Sequence, residues 1–219
     1  MSLTQRKHRP LIRDSQCFRD DRLFIIACDD TYAPKQYFGF FRLARVQVHV
    51  IQTTSGDSAA KHVLDRLLET ECDEDDQRWL MLDTDHYIQG QHRSGFQAAI
   101  TEAKKRSINI VLNRPCFELW LLLHHVEETE VASLSNAGQV ENKLREVLGE
   151  YNKTRLKQEH YPISSVVHAY KRAKRLDMQI RSGDIPDRNT SKIYLLWEAI
   201  ISEALASQLP AELKELKHY

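Results

Sequence analysis

The chain has 219 residues, and its 31 Lys and Arg balance its 31 Asp and Glu, so it carries no formal net charge at pH 7. This balance excludes attraction to nucleic acid through overall charge and leaves only local patches to supply it. With 42% hydrophobic residues, 7 Gly and 6 Pro, the composition also excludes a low-complexity or disordered chain.

The four cysteines are scattered and include no C-x-x-C pair, which argues against a zinc site or a disulfide framework. The first ten residues, MSLTQRKHRP, lack the apolar segment of a secretion signal, and the longest apolar run, LWLLL, is too short to span a bilayer. We therefore expect a protein of the reducing cytoplasm that has no contact with a membrane.

The chain begins with a basic segment, whose first 13 residues contain Arg6, Lys7, Arg9 and Arg13 and no acid. We interpret residues 1–21 as a basic N-terminal arm. Such an arm is one of the local patches that a nucleic acid would meet.

Residues 22–130 are predicted to alternate strands with helices. Short apolar or β-branched runs predict four strands, and apolar residues spaced three or four apart predict the helices between them. The strands are RLFIIACDD (22–30), VQVHVIQT (46–53), RWLMLD (78–83) and SINIVLN (107–113), and the helices are YFGFFRLA (37–44), a helix through 60–68, and SGFQAAITEAKKR (94–106). This order predicts an α/β domain with a mainly parallel sheet.

Residues 131–219 are predicted to form a helical part packed on that domain, with no strand after residue 125. Within 161–180, Val166, Tyr170, Ala173 and Ile180 share one side of a helix, and His168, Lys171, Arg172 and Arg175 share the other. This basic face is either a solvated surface or a surface that binds phosphates. A last helix near 190–205 is apolar on nearly all sides and is expected to pack into the body.

Three acids follow predicted strands, Asp29 after the first and Asp83 and Asp85 after the third. The carboxyl ends of parallel strands share one edge of a sheet, and residues i and i+2 of a strand point to the same side. Clustered carboxylates repel each other unless a cation lies between them, so the pattern points to Mg²⁺ or Mn²⁺. The alternative is structural, because Asp at such a junction often caps the next helix.

The segment NRPCFELWLLLHH (113–125) places another acid beside the same edge. Asn113 is a candidate N-cap and Pro115 suits a first helical turn, so Glu118 would lie where the helix dipole favours an anion. Glu118 is therefore either a structural residue or a metal ligand or general base. His124 and His125 are interpreted as the polar end of a buried helix rather than as metal ligands.

Five segments together resemble one known family. They are IIACDDTYAPKQYF, WLMLDTDHY, NRPCFELWLLLHH, YNK at 151–153, and NTSKIYLLWEAI at 189–200. They resemble the RloB-like proteins of bacterial restriction and phage-defence loci, which are regarded as having a Toprim-like domain. The Pro-Cys-Phe-Glu-Leu-Trp-Leu-Leu-Leu-His run is the most specific of them, whereas Asp-x-Asp alone is common.

The resemblance implies a compact Toprim-like fold, a four-stranded mainly parallel sheet between helices with a C-terminal helical extension. It also implies Mg²⁺ held by Asp29, Asp83 and Asp85 for phosphodiester chemistry, with Asp29 and Glu118 as catalytic residues. The chain would be a Mg²⁺-dependent nuclease of phage defence with companion defence proteins. Lys153, Lys171, Arg172 and Arg175 are the candidates for contacts with nucleic-acid phosphates.

Three residues depart from the family pattern. Asp29 stands where Glu is usual, Asp30 replaces a Gly, and Pro34 lies near the place of a second acid. A second hypothesis is therefore a Toprim-like module that has lost catalysis and binds nucleic acid, a nucleotide or a partner protein. A third is a structural subunit that dimerises through its apolar last helix, with Trp197 in the contact.

Overall fold

The computed structural model describes residues 21–53, 58–85, 87, 92–180 and 183–218. The predicted basic arm lies outside the described residues except for Asp21. The described residues contain a five-stranded sheet, made of β1 (Arg22–Cys28), β2 (Val46–Ile51), β3 (Gln77–Asp83), β4 (Asn109–Arg114) and β5 (Thr190–Ser191). The strand order is β2-β1-β3-β4-β5.

Strands β1 to β4 run parallel to one another, which confirms the predicted mainly parallel α/β fold. The expectation of four strands and of no strand after residue 125 was wrong, because β5 joins the sheet antiparallel to β4. A strand of two residues has no periodicity to detect. It exists because Asn113 and Arg114 of β4 pair with Ser191 and Thr190.

Nine α-helices surround this sheet in the described part of the chain, with two single 3₁₀ turns at Gln158–His160 and Glu215–His218. The helices are α1 (Ala33–Gly39), α2 (Ala60–Glu69), α3 (His92–Lys105), α4 (Glu118–Leu123), α5 (Glu128–Val131), α6 (Ala137–Leu148), α7 (Ile163–Asp177), α8 (Ile193–Glu203) and α9 (Ala211–Lys214). The first helix was predicted at 37–44. It begins earlier because Asp30 accepts hydrogen bonds from the backbone N–H groups of Tyr32 and Ala33.

The sheet is buried on both faces, as its continuous apolar runs predict. In β1, Ile25 and Ala27 face α2 and α3, whereas Phe24 and Ile26 face the core shared with α1, α4, α7 and α8. Trp197 of α8 is only 1% exposed and lies in this second core. The apolar helix predicted near 190–205 is α8, and it packs into its own chain, as expected. Trp197 therefore offers no exposed apolar surface for a dimer.

The amphipathic prediction for residues 161–180 is confirmed for Val166, Tyr170 and Ala173, which are buried in α7. It was wrong for Ile180, because α7 ends at Asp177 and Ile180 is only partly buried.

His124 links three helices inside the larger core. Its Nε2 lies 3.1 Å from the Tyr37 hydroxyl of α1, and its Nδ1 lies 2.7 Å from the Ser165 hydroxyl of α7. Burial lowers the pKa of His124 well below its ordinary value. The folded protein therefore keeps this imidazole neutral at pH values where the unfolded chain binds a proton.

This difference predicts how stability depends on pH. As the pH falls below about 6.5, the pKa of histidine in the unfolded chain, the unfolded state binds a proton at His124 and the folded state does not. The free energy of unfolding therefore falls by up to about 1.4 kcal/mol per pH unit. His124→Gln should remove this contribution, so the free energy of unfolding of the variant should depend less on pH. Urea unfolding at several pH values between 5 and 8 measures it, with the exposed His49→Gln as the control. Equal pH slopes for the two variants would contradict the assignment.

Candidate functional site

An acidic cleft of about 340 Å³ lies at the carboxyl edge of the sheet. Among the described residues, the charged part of its lining is six acids and one cation, namely Asp29, Asp30, Asp83, Asp85, Glu118, Glu141 and Lys153. The acids come from the ends of β1 and β3, from α4 and from α6. The structure thus brings together every predicted catalytic and metal-binding residue, together with Glu141, which sequence reasoning did not single out.

Asp29 joins the ends of the two central strands. It follows β1 directly, and its Oδ2 accepts a hydrogen bond of 3.0 Å from the backbone N–H of Asp83 at the end of β3. Burial raises the pKa of Asp29 to about 7, although that N–H opposes the shift; Asp30 and Asp85 raise it further. A carboxyl group of this kind can both lose and accept a proton near neutral pH.

Asp83 is fixed by two hydrogen bonds that come from different elements. Its Oδ1 accepts from Asn113 Nδ2 of β4, and its Oδ2 accepts from the backbone N–H of Phe117 before α4, both at 3.0 Å. Burial raises its pKa well above the ordinary value, and the carboxylates of Asp29 and Glu118 add to that effect. Asp83 is therefore a buried acid with negative neighbours.

Asn113 has a role that its position in the sequence did not reveal. The interpretation as a helix N-cap was wrong, because Asn113 lies within β4 and α4 begins at Glu118. Its side-chain oxygen accepts a hydrogen bond of 2.7 Å from the Ser191 hydroxyl of β5, and its amide donates to Asp83. Sequence reasoning had no signal for this chain of contacts, since Ser191 is 78 residues away.

Asp85 reaches the cleft by a route other than the predicted one. An extended strand through residue 85 was expected, but β3 ends at Asp83 and the chain turns. The backbone N–H groups of Thr84 and Asp85 both donate to the carbonyl of Pro115 at 3.1 Å. This turn keeps Asp85 at the rim of the cleft beside Asp83.

Glu118 is completely buried at the start of α4. Its Oε1 accepts a hydrogen bond of 2.9 Å from the Tyr151 hydroxyl and lies 3.4 Å from Lys153 Nζ. Its Oε2 is buried without a hydrogen-bond partner among the residues that the structure describes. A buried carboxylate oxygen without a partner is costly, which makes it a candidate for binding a cation.

Lys153 is the single cation that lines the acidic cleft in the described part of the chain. Its Nζ lies 2.7 Å from Asp30 Oδ2 and 3.4 Å from Glu118 Oε1. Burial acts to lower the pKa of Lys153, but the carboxylates of Glu118 and Asp30 outweigh it and raise that pKa. Asp30 therefore combines the capping role at α1 with an ion pair inside the cleft.

The donor set suits a hard divalent cation. Carboxylates supply all the negative charge that lines the cleft in the described part of the chain. Burial raises the pKa values of Asp29 and Asp83, and Glu118 has one buried oxygen without a hydrogen-bond partner among the described residues. Among the described residues, no group of three or more His, Cys, Asp or Glu side chains has the geometry of a metal site. Each oxygen of Asp83 keeps a second lone pair beyond its hydrogen bond, so the hydrogen-bonded carboxylate is still able to bind a metal.

The predicted nucleic-acid contacts divide into two groups. Lys153 lies in the acidic cleft, whereas Lys171, Arg172 and Arg175 lie on α7 and do not line it. The α7 residues form ion pairs within the chain, Lys171 with Glu215, Arg172 with Glu127, and Arg175 with Glu127 and Glu128. These acids offset much of the positive charge that the sequence suggested for this helix.

Comparison with known proteins yields one match. The family model described as RloB-like protein matches residues 24–200, whereas no curated protein and no solved structure matches the chain. Among the described residues, no helix has the length and apolar character needed to cross a membrane. Because the family model covers most of the chain, including all the acids that line the cleft in the described part of it, this protein belongs to the RloB-like family.

Proposed function

We propose that this protein is a Mg²⁺-dependent nuclease that hydrolyses phosphodiester bonds, with Mn²⁺ as an alternative metal. The observation that carries the proposal is the convergence of six acids from four chain segments on one cleft that contains a single lysine. Such an excess of buried negative charge is unfavourable by itself and favourable around a divalent cation. Membership of the RloB-like family is consistent with it.

Asp29, Asp83 and Asp85 are the residues that would hold the metal, since they lie at adjacent strand ends in the same cleft. Asn113 and the Phe117 backbone N–H orient Asp83. Mg²⁺ held there would offset charge on the attacked phosphate and would lower the pKa of a water bound to it.

The other residues of the acidic cleft have roles that follow from their contacts. Asp29 or Glu118 would accept the proton of the attacking water, and whichever of the two does so would not be bound to the metal in that step. Lys153 holds Asp30 and Glu118 in place and presents positive charge to the substrate phosphate. We propose nucleic acid, a polymer joined by phosphodiester bonds, as the substrate class.

We propose defence against phage as the biological setting, with companion defence proteins as partners and the bacterial cytoplasm as the location. This part of the proposal rests on the resemblance of the RWLMLDTDHY and NRPCFELWLLLHH segments to the family.

A second function is favoured by the ion pairs of Lys153. This lysine already offsets charge on Asp30 and Glu118, and the described side chains form no ready trio of ligands. A module that binds nucleic acid without cleaving it would have this arrangement. It should bind with an affinity that falls steeply with salt and release no product with Mg²⁺ or Mn²⁺. Product formed by the purified protein in a gel assay would exclude it.

Asp83→Asn should abolish metal binding and cleavage together. The substitution keeps the shape of the side chain but removes the negative charge that a cation requires, so the cleavage rate should fall by at least about 100-fold. Cleavage of labelled DNA and RNA with Mg²⁺ or Mn²⁺, and calorimetric titration with Mn²⁺, measure the two effects. Asp65→Asn on α2 is the matched control and should behave as the unaltered chain does. Unchanged cleavage by Asp83→Asn would refute the metal-site assignment.

Asn113→Ala should weaken metal binding although Asn113 is not itself a ligand. Asp83 would lose one of the two hydrogen bonds that orient it, so the affinity for Mn²⁺ should fall by about 10- to 100-fold. Calorimetric titration measures this effect, and a thermal melt confirms that the variant is folded. The exposed Asn142→Ala is the control. Equal Mn²⁺ affinities in the two folded variants would show that Asn113 does not position Asp83.

A further inference from the structure

A second hollow, of about 440 Å³, has the opposite charge from the acidic cleft. We call it the arginine pocket, and its polar lining is Arg114, Arg188, Ser133, Ser135, Gln179 and Asn189. The exposed Asp187 is the single acid that lines it among the described residues, so two positive charges face one negative charge.

The arginine pocket lies at the same edge of the sheet as the acidic cleft. Arg114 is the last residue of β4 and directly follows Asn113, which contacts Asp83. Because β5 runs antiparallel to β4, the chain just before β5 also lies at this edge, and it carries Arg188. Adjacent strands are about 4.8 Å apart, so β4 and β5 bring the two arginines to the side of the acidic cleft.

The two hollows are lined by neighbouring parts of one chain segment. Residues 132–135, between α5 and α6, line the arginine pocket, and Ala137 and Glu141 of α6 line the acidic cleft. A chain-like ligand that crosses this short segment would enter both.

The arginine pocket is held in place by hydrogen bonds. Arg114 Nη1 donates to the Pro186 carbonyl at 2.8 Å, and Asn189 Nδ2 donates to the carbonyls of Val131 and Leu134 at 2.8 and 2.5 Å. The second pair of bonds joins the chain before β5 to the end of α5 and to the segment 132–135. The pocket walls are therefore fixed before any ligand arrives.

The charges of Arg114 and Arg188 are not offset by ion pairs. Within the described ranges neither arginine forms an ion pair with an acid, in contrast to Arg172 and Arg175 of α7. An arginine fork matches the geometry of phosphate oxygens and hydrogen-bonds them in pairs. The arginine pocket thus has the positive charge that the basic face of α7 lacks.

We propose that the arginine pocket binds a backbone phosphate of the nucleic acid whose scissile phosphodiester lies in the acidic cleft. The inference rests on the proposed function and answers a difficulty within it. Six acids and one lysine repel a polyanion, so the free energy of binding must come from positive charge outside the acidic cleft. Arg114 and Arg188 supply that charge at the same edge of the sheet.

The test is the binding of fluorescein-labelled single-stranded DNA and RNA of about 20 nucleotides, followed by fluorescence anisotropy in EDTA at several salt concentrations. Arg188→Glu should weaken binding by about tenfold or more, as expected when a hydrogen bond to a charged group is lost. It should also lower the slope of log affinity against log salt by about one. Arg188 is exposed, so the substitution should leave the melting temperature unchanged.

Lys105→Glu is the charge-matched control, since Lys105 is exposed on α3 and lines neither hollow. The inference is overturned if Arg188→Glu and Lys105→Glu bind with the same affinity and the same salt slope, including the case in which no form binds. Cleavage by the unaltered chain is scored separately with Mg²⁺. Binding that depends on Arg188 without any cleavage would leave the arginine pocket in place and overturn the proposed hydrolysis.

Discussion

The site depends on one arrangement, the fixing of the Asp83 carboxylate between Asn113 and the Phe117 backbone N–H. These two hydrogen bonds join β3, β4 and the start of α4, so the position of the acid and the packing of the sheet edge are set together. Ser191 of β5 extends the contact by donating to Asn113. A carboxylate buried this deeply is tolerated because both of its oxygens have donors. Asp29 contacts the backbone N–H of Asp83. Burial raises the pKa of both carboxyl groups, and neighbouring acids add to the rise.

The fold concentrates negative charge that it only partly offsets. Lys153 pairs with Asp30 and Glu118, and Asp29 and Asp83 line the same cleft without an ion pair to a described residue. Removing water from several carboxylates at once costs free energy, and a stability requirement alone would not place them together. The proposed metal supplies the missing positive charge. Asp30 has both a capping role and a role in the site. Its Oδ1 accepts hydrogen bonds at the start of α1, and its Oδ2 pairs with Lys153.

Positive charge is distributed in a way that the composition conceals. The chain carries no formal net charge, and its most basic helix, α7, uses Lys171, Arg172 and Arg175 in ion pairs with acids from other elements. The arginine pocket, in contrast, contains two arginines that form no ion pair with any described acid. Binding of a polyanion and hydrolysis of one of its bonds require opposite local charges, and neighbouring hollows of opposite sign satisfy both requirements.

The sequence alone determined the α/β class and the positions of four strands along the chain, because hydrophobic periodicity is a local property. It also predicted that Asp29, Asp83 and Asp85 meet at one edge of the sheet, because the carboxyl ends of parallel strands lie at the same edge. Only the tertiary structure decided the rest. It added β5, whose two residues carry no pattern, and it gave Asn113 a role in orienting Asp83 rather than in capping a helix. It also paired the basic face of α7 with acids that lie more than 40 residues away along the chain. Pairings over such distances depend on how the elements pack, and packing leaves no local signal in the sequence.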